Sequence, residues 1–315
     1  MKEIVPSYYK KFRCIAGDCR HSCCIGWEID IDEDTLSLYD NPAVSLYNRL
    51  QKSIERTETP HFCLDREERC PFLNEKGLCD IILTMGEECL CQICNDHPRF
   101  RSFFSDHTET GLGLCCEAAA ALILQEEEPT VLQILQDDGE KTELSQEESD
   151  FLEYRDKILF ILQNREYPLG RRISDMLAEY SRTFPVKTTA QWAEIYRTLE
   201  QLDPTWNIIL DKMASSEIPV ILPDVRTPWE NTLENLAVYF IFRHLAGTLD
   251  DDRLAERSIF SAVSTAILYT LFLLTEQEKG CLTTEDMVEL SRLYSSEIEY
   301  SEENMETLLE LFSKA

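Results

Sequence analysis

Residues 14–24 read Cys-Ile-Ala-Gly-Asp-Cys-Arg-His-Ser-Cys-Cys, and this stretch decides how the first third of the chain is organised. It holds four thiols within eleven residues, two of them adjacent at Cys23 and Cys24. Working outward, twelve of the thirteen cysteines lie before residue 117, and Cys281 is the exception. Such a one-sided distribution needs a local cause. Because thiolates bind zinc in sets of four and also hold iron–sulfur clusters, we predict a thiolate-bound metal centre in this region.

The spacing of the cysteines supports this prediction. Residues 14–24 supply up to four thiols from one loop, Cys91 and Cys94 form a second pair, and Cys70 and Cys79 a third. Closely spaced ligands allow one loop to supply two of them at a small entropic cost. The spacings match neither tandem C-x2-C zinc knuckles nor the ferredoxin motifs. Residue type alone therefore leaves both zinc and iron–sulfur open.

Several neighbouring residues have more than one reading. His21 and His97 lie beside cysteines and could bind metal, although surface or supporting roles are more common. Arg99 follows a proline near Cys94 and could bind a carboxylate or phosphate, or form an ion pair with an acid of the chain. Three thiols also fit the role of small buried apolar side chains, namely Cys63, Cys89 and Cys281.

Composition restricts the class of protein. With 315 residues and 43% apolar side chains, the chain is long enough for two soluble domains. A net charge of −29 disfavours nucleic acid and suits a basic partner, although solubility alone also accounts for it. The most apolar stretch, residues 258–274, is shorter than a membrane span and has acidic flanks, which predicts a buried helix. With no signal-peptide pattern, we predict a cytoplasmic protein without a membrane partner.

The pattern along the chain predicts a mainly α fold in three parts. Residues 1–125 are predicted to form a cysteine-rich metal-binding domain with short β-hairpins. Residues 126–145 are acidic and contain Gly139, which suggests a linker. Residues 146–315 show the 3.6-residue period almost throughout and predict an all-helical bundle. No glycine-rich nucleotide motif occurs in the sequence.

Local signals place individual elements. Asp32 is a predicted helix N-cap, and Pro42 separates two short helices. Ser145 and Glu148 form a predicted capping box, and His244 lies on an apolar helix face, as a satisfied core histidine does. Two hairpins are predicted, one pairing residues 61–64 with 70–73 and one pairing residues 101–104 with 110–114.

The cysteine-rich part resembles the flagellin lysine-N-methylase family, FliB, which shares a cysteine cluster with YkgJ-type proteins described as zinc- or iron-chelating. The resemblance runs through about residues 6–125 in order and spacing, whereas the remainder is similar only in being helical. It is carried by Cys23-Cys24-Ile25-Gly26-Trp27, Cys70-Pro71-Phe72-Leu73, Leu78-Cys79-Asp80-Ile81, Cys94, Pro98-Arg99 and Leu114-Cys115-Cys116-Glu117-Ala118-Ala119.

This resemblance implies methyl transfer from S-adenosylmethionine to lysine side chains of flagellin. It also implies an iron–sulfur cluster of the [4Fe–4S] type, with zinc as the alternative. Eight cysteines carry over from the family pattern, more than the four that one cluster needs, so the ligand set stays open. They are Cys14, Cys19, Cys23, Cys24, Cys70, Cys79, Cys94 and Cys115. Cys116 stands where the family has proline.

The sequence identifies no general base for such a reaction. Glu28, Asp30 and Asp32 follow the thiol loop and are the candidates for a catalytic role, and Arg99 is the candidate for binding the cofactor. A second hypothesis is a protein without chemistry of its own that stores, delivers or senses zinc or iron. A third is electron transfer, suggested by the surplus of thiols.

Overall fold

A computed structural model describes residues 1–139 and 142–314. The chain divides into two compact units. Arg13–Arg99 form one, called here the cysteine-rich unit. Met1–Phe12 and Phe100–Ala315 together form the other, called the helical unit.

The described strands are short and occur in both units. In chain order they are β1 Lys2–Pro6, β2 Ile54–Glu55, β3 His61–Phe62, β4 Arg99–Phe103, β5 His107–Leu112, β6 Leu132–Asp137, β7 Lys187–Thr188 and β8 Pro219–Val220.

The α-helices account for most of the regular structure. They are α1 Glu33–Tyr39, α2 Tyr47–Ser53, α3 Asp80–Met85, α4 Gln92–Asp96, α5 Glu117–Leu124, α6 Gln146–Leu162, α7 Leu169–Ala178, α8 Thr189–Arg197, α9 Pro204–Ala214, α10 Glu230–His244, α11 Thr248–Asp251, α12 Leu254–Lys279, α13 Thr284–Ile298 and α14 Glu302–Phe312. The prediction of a helical C-terminal part is confirmed.

The helical unit contains a four-stranded sheet in the order β4-β5-β1-β6. Strand β1 runs parallel to β5, with Lys2 opposite His107, and antiparallel to β6, with Lys2 opposite Asp137. The predicted hairpin near residues 101–114 is confirmed in outline, because β4 and β5 are neighbours in this sheet. The N-terminal strand joins two segments that lie far away along the chain.

Two helices form the centre of the helical unit. Helix α12 contains an apolar 18-residue window that is 89% buried inside the fold, so it is long and apolar enough for a membrane span but serves as a core helix. Helix α10 packs against it and is buried on nearly all sides between Leu233 and Phe242. A helix that is apolar all round belongs in the interior. The prediction of a buried helix near residues 258–274 is confirmed.

The predicted helix starts that depend on local chemistry are present. Ser145 accepts a hydrogen bond from the Glu148 amide, and the Glu148 carboxylate accepts one from the Ser145 amide, which completes the capping box. Asp32 likewise caps α1 by accepting the Thr35 amide at 2.9 Å. Pro42 lies between α1 and α2, as expected from its missing amide hydrogen.

The cysteine-rich unit has a small core of its own. Tyr39, Leu50, Phe62 and Phe72 are almost fully buried there, and Phe62 and Phe72 have ring centroids 5.1 Å apart. One predicted hairpin differs in the structure. Residues 61–62 pair with β2, Ile54 opposite Phe62, and not with residues 70–73.

The division into units also differs from the predicted domains. Residues 1–12 and 100–125 belong to the helical unit, although they were predicted within the cysteine-rich domain. Apart from residues 140 and 141, which lie outside the described residues, the predicted linker contains β6, which pairs with β1. The composition of residues 126–145 is acidic, but six of these residues form a strand of the sheet.

Candidate metal-binding site

The cysteines of the chain are present as thiols. All thirteen lie in the described ranges, where each is free and none is joined to another as a disulfide. A disulfide framework is therefore not what holds the cysteine-rich unit together. The sequence-based prediction that the thiols are kept for another purpose is compatible with this state.

Six thiols lie in or against the apolar core of the cysteine-rich unit, and one of them, Cys89, donates its thiol hydrogen to the Met85 carbonyl. Of the other five, two are buried and three are partly exposed. They are Cys24, Cys70, Cys79, Cys91 and Cys94, and they are called here the central thiols. Four of these were predicted as metal ligands, whereas Cys91 was considered additional.

Backbone contacts bring the central thiols together from separate parts of the unit. The Cys70 amide donates to the Cys24 carbonyl at 2.8 Å. Cys79 forms an antiparallel bridge with Leu73 and stands immediately before α3, while Cys91 stands immediately before α4. Four short chain segments therefore converge on one region.

The pKa values of the central thiols reflect this proximity. Burial, together with a smaller effect of the nearby thiols of Cys24, Cys79 and Cys91, raises the pKa of Cys70 to about 12. A hydrogen bond with Cys23 lowers the pKa of Cys24 to about 7. Because like charges in a poorly solvated place oppose one another, these thiols cannot all ionise without a cation among them.

Cys91 and Cys94 have their Sγ atoms 3.2 Å apart. The hydrogen bond that they share lowers the pKa of Cys91 and raises that of Cys94. In a tetrahedral zinc site with Zn–S bonds of about 2.3 Å, sulfur atoms lie about 3.8 Å apart. A small outward movement would therefore allow both thiols to bind one ion.

The central thiols supply the donor atoms that a thiolate-bound metal needs, but their positions are not those of a formed site. Soft thiolates in a half-buried, low-dielectric region suit zinc or an iron–sulfur cluster. Within residues 1–139 and 142–314, however, no group of three or more His, Cys, Asp or Glu side chains has the arrangement of a formed metal site. Loading would require the central thiols to rearrange.

The other predicted ligands are placed differently. Cys14 and Cys23 are exposed and Cys19 is half-buried. The Cys14 sulfur accepts a hydrogen bond from the Ala16 amide at 3.4 Å. Cys23 contacts Cys24, so it stays next to the central thiols while facing solvent.

Cys115 belongs to the helical unit and has a distinct environment. Burial raises its pKa to about 12, partly offset by a hydrogen bond with Tyr300 and by the charge of Arg243. Such a thiol remains protonated at neutral pH. The role of Cys115 as a metal ligand stays a prediction.

Cysteines outside the predicted ligand set differ in their surroundings. Cys63 and Cys281 are exposed, so neither is the small buried residue that one reading predicted. Cys89 is half-buried and its thiol donates to the Met85 carbonyl at 3.4 Å, in agreement with that reading.

The histidines next to the cysteines are not equivalent. His21 is exposed. Burial lowers the pKa of His97 to about 4, with a smaller effect from Arg99 in the same direction. His97 is therefore neutral at physiological pH, which is the form that can bind metal.

The candidate catalytic carboxylates have different settings. Asp32 accepts hydrogen bonds from the amides of Thr35 and Gln92 and from the Thr35 hydroxyl. Burial raises the pKa of Asp32, but these hydrogen bonds outweigh that effect and lower it. The Asp32 carboxylate is therefore better suited to a structural role than to accepting a proton. Glu28 is exposed, with Oε2 3.5 Å from His61 Nε2. Asp30 is exposed and forms an isolated antiparallel bridge with His61.

Arg99, the predicted cofactor-binding residue, is half-buried and its Nη1 donates to the Asn95 carbonyl at 3.2 Å. This bond closes the segment that follows α4. This contact with a backbone carbonyl tests neither the binding of a cofactor nor an ion pair with an acid, and both stay predictions for Arg99.

A buried ionic cluster in the helical unit had no clear sequence signal. Glu299 accepts hydrogen bonds from Tyr239 at 3.0 Å and pairs with Arg243 at 3.2 Å and His244 Nε2 at 2.6 Å. The Arg243 guanidinium lies 4.6 Å from the ring centroid of Tyr300. Its members satisfy one another, which confirms His244 as a satisfied core histidine and indicates a structural cluster.

Fold and site together define a protein in which a cysteine-rich unit with clustered thiols interrupts a mainly helical unit along the chain. Residues 175–315 match the family model described as the FliB lysine N-methylase C-terminal domain. In this C-terminal part the chain is similar to the FliB lysine N-methylase family. The matched region is the helical part, which complements the resemblance found in residues 6–125.

Three curated relatives are each 26% identical over part of this chain. A lysine-N-methylase of Salmonella typhimurium matches over 149 residues, which are 42% of this chain and 35% of the relative. A lysine-N-methylase of Salmonella choleraesuis matches over 142 residues, again 35% of the relative. The flagellar biosynthetic protein FliU of Salmonella muenchen matches over 155 residues, which are 46% of this chain and 88% of the relative.

The match thus spans about a third of the length of the two curated lysine-N-methylases. No solved structure matches this chain.

Proposed function

We propose that this chain is a protein-lysine N-methyltransferase that uses S-adenosylmethionine and acts on flagellin. The observation that carries the proposal is the match of residues 175–315 to the FliB C-terminal domain. Relatives named lysine-N-methylase support the reaction, and one named as a flagellar biosynthetic protein supports the acceptor. The net charge of −29 suits a lysine-bearing partner. The free thiols suit the cytoplasm, which we propose as the location.

The proposed reaction is a direct displacement. The neutral lysine amine attacks the methyl carbon, the N–C bond forms, and the C–S bond breaks. Its electron pair stays on sulfur and converts the sulfonium to a neutral thioether. The proton that leaves the nitrogen passes to a base or to water. The protein must therefore align the amine with the methyl group and accept that proton.

Among the candidate bases, Glu28 and Asp30 are better suited than Asp32. Both carboxylates are exposed, and Glu28 lies beside the imidazole of His61. Asp32 already holds two backbone amides and one hydroxyl. The exposed pair is therefore where a substrate ammonium could approach without displacing internal hydrogen bonds.

We also propose that the central thiols hold a metal centre, a [4Fe–4S] cluster by family resemblance or zinc as the alternative. Cys24, Cys70, Cys79 and Cys94 would be the ligands, with Cys91 beside them. A bound centre would supply the positive charge that these crowded thiolates lack. We propose that its role is to fix the shape of the cysteine-rich unit and to anchor the amino-carboxylate of the methyl donor.

A methyl-transfer assay tests the proposed activity. The purified chain is incubated with flagellin and S-adenosylmethionine carrying an isotopically labelled methyl group. Mass spectrometry of flagellin peptides should then show labelled methyl groups on lysine. Flagellin whose lysines have been acetylated is the matched control and should remain unlabelled. The proposal would be contradicted if the purified chain, carrying its full complement of metal, left native flagellin unlabelled.

The second candidate is a metal-handling protein without methyl transfer. It is favoured by five thiols in one region together with the lack of a glycine-rich nucleotide motif. Titration of the protein with S-adenosylmethionine in a calorimeter separates the two candidates. Saturable heat supports the methylase, whereas metal uptake without such heat supports the metal-handling protein.

A further inference from the structure

Cys91 and Cys94 stand out among the central thiols because their sulfur atoms are already in contact. Their Sγ atoms lie 3.2 Å apart, and a disulfide bond is about 2.0 Å long. The two residues are three apart at the start of α4, so side-chain rotation brings the sulfur atoms together. Closing this bond needs a movement on the order of 1 Å and no rearrangement of chain segments.

The two thiols differ in access to solvent. Cys91 is 1% exposed and lies in the core of the cysteine-rich unit. Cys94 is partly exposed. An oxidant from solution would therefore meet Cys94 first, and the buried Cys91 would be next to the resulting bond. This is the arrangement of an attacking thiol and a resolving thiol.

We propose that Cys91 and Cys94 are a reversible redox pair that closes a disulfide when the protein carries no metal. The part of the proposal that concerns metal rests on the proposed metal centre, because Cys94 is one of its ligands. A disulfide at this position removes Cys94 from the ligand set and leaves the protein unable to load until the bond is reduced.

The oxidant is a small-molecule disulfide of the glutathione type. The hydrogen bond between the two thiols favours the thiolate on Cys91, so Cys94 passes its proton to Cys91 as it attacks one sulfur of the small disulfide. The S–S bond of the small disulfide breaks, and one thiol leaves after taking a proton from solvent. Cys91 then gives up its proton, attacks the Cys94 sulfur and releases the second thiol, which is protonated in the same way. The protein pair loses two electrons, and the small disulfide gains them.

Other pairings of the central region are less favourable. Cys23 and Cys24 also share a hydrogen bond, but a disulfide between adjacent residues closes a strained small ring. Cys70 and Cys79 come from separate chain segments joined through the bridge of Leu73 with Cys79. Their sulfurs cannot approach by side-chain rotation within one helical turn.

The test maps disulfides in the full-length protein. Metal is removed with a chelator under reducing conditions, and the protein is then exposed to glutathione disulfide. Free thiols are alkylated in denaturant, and peptides are identified by mass spectrometry. We expect a peptide containing Cys91 and Cys94 that is unalkylated and lighter by two hydrogens. Protein loaded with metal before oxidation should show both thiols protected from glutathione.

Two variants sharpen the result. In Cys91→Ser the resolving thiol is missing, so glutathione should accumulate on Cys94. The matched control Cys63→Ser removes an exposed thiol and should leave the Cys91–Cys94 link unchanged. The proposal would be overturned if, in the wild-type protein, both thiols stay free, glutathione remains on Cys94, or the link joins Cys23 to Cys24. Because the readout is a covalent bond, it is independent of whether the protein methylates lysine.

Discussion

Glu109 and Arg155 form the ion pair whose removal we expect to be most costly. Arg155 Nη1 and Nη2 donate to separate oxygens of Glu109 at 2.5 and 2.6 Å. Both side chains are 2% exposed, and the pair joins β5 to α6 in the helical unit. Replacing Glu109 with Gln keeps the volume of the side chain but leaves the Arg155 charge buried without its counterion.

The expected loss follows from this burial. Breaking a buried pair by neutralising one partner costs about 3–5 kcal/mol. Gln retains an oxygen that can accept one hydrogen bond, so we expect the lower end, about 3 kcal/mol. For a unit of this size that corresponds to a decrease in melting temperature of roughly 6–12 °C.

The assay is thermal unfolding followed by far-ultraviolet circular dichroism, which reports mainly on the helices. Asp211→Asn is the control, because the Arg197–Asp211 pair is exposed and its loss should leave the melting temperature unchanged within error. The double variant Glu109→Leu with Arg155→Met removes both charges and should recover most of the loss. An unchanged melting temperature for Glu109→Gln, or no recovery in the double variant, would refute the reasoning.

Three further predictions concern neighbouring groups. Burial alone would lower the pKa of His107, but the neighbouring carboxylates of Glu109 and Asp106 raise it. The stabilisation from the charged imidazole is therefore complete below pH about 6.5 and is lost as pH rises through the raised pKa. The difference in melting temperature between wild type and His107→Gln should shrink at alkaline pH, and a constant difference would argue against this prediction. Ser145→Ala should lower the free energy of unfolding by about 1 kcal/mol through loss of the cap, and an unchanged thermal transition would contradict this. Asp32→Ala should make the central thiols react faster with a thiol reagent, because the start of α1 and the amide of residue 92 lose the acceptor that they share. Glu28→Gln should leave the rate unchanged. Equal rates for the two variants would mean that Asp32 does not hold this region closed.

Features that depend on near neighbours in sequence were predictable. The Asp32 cap and the Ser145–Glu148 box need only residues three positions apart, so their signals are visible in the sequence. The pairing partner of residues 61–62 depends on a different segment, and β-strands this short carry little register information. Likewise, the pairing of β1 with both β5 and β6 joins segments more than a hundred residues apart.

The candidate site shows the same limit. The density of cysteines identifies the chemistry, because few other roles need so many thiols in one region. Which thiols converge depends on the tertiary fold: Cys91 is among them, Cys14 faces solvent, and Cys115 belongs to the helical unit. The buried cluster around Glu299 also depends on the packing of α10 against elements distant in sequence, so periodicity alone could not find it.

The most direct test of the account is the metal content of anaerobically purified protein, measured with the visible absorption spectrum. We expect bound iron with a broad visible band, or bound zinc without one, in the wild type and in Cys14→Ser. Cys79→Ser should lose the metal, because its thiol is one of the central five. A wild-type protein that binds neither metal, or equal retention by Cys79→Ser and Cys14→Ser, would contradict the claim that these thiols form the metal centre.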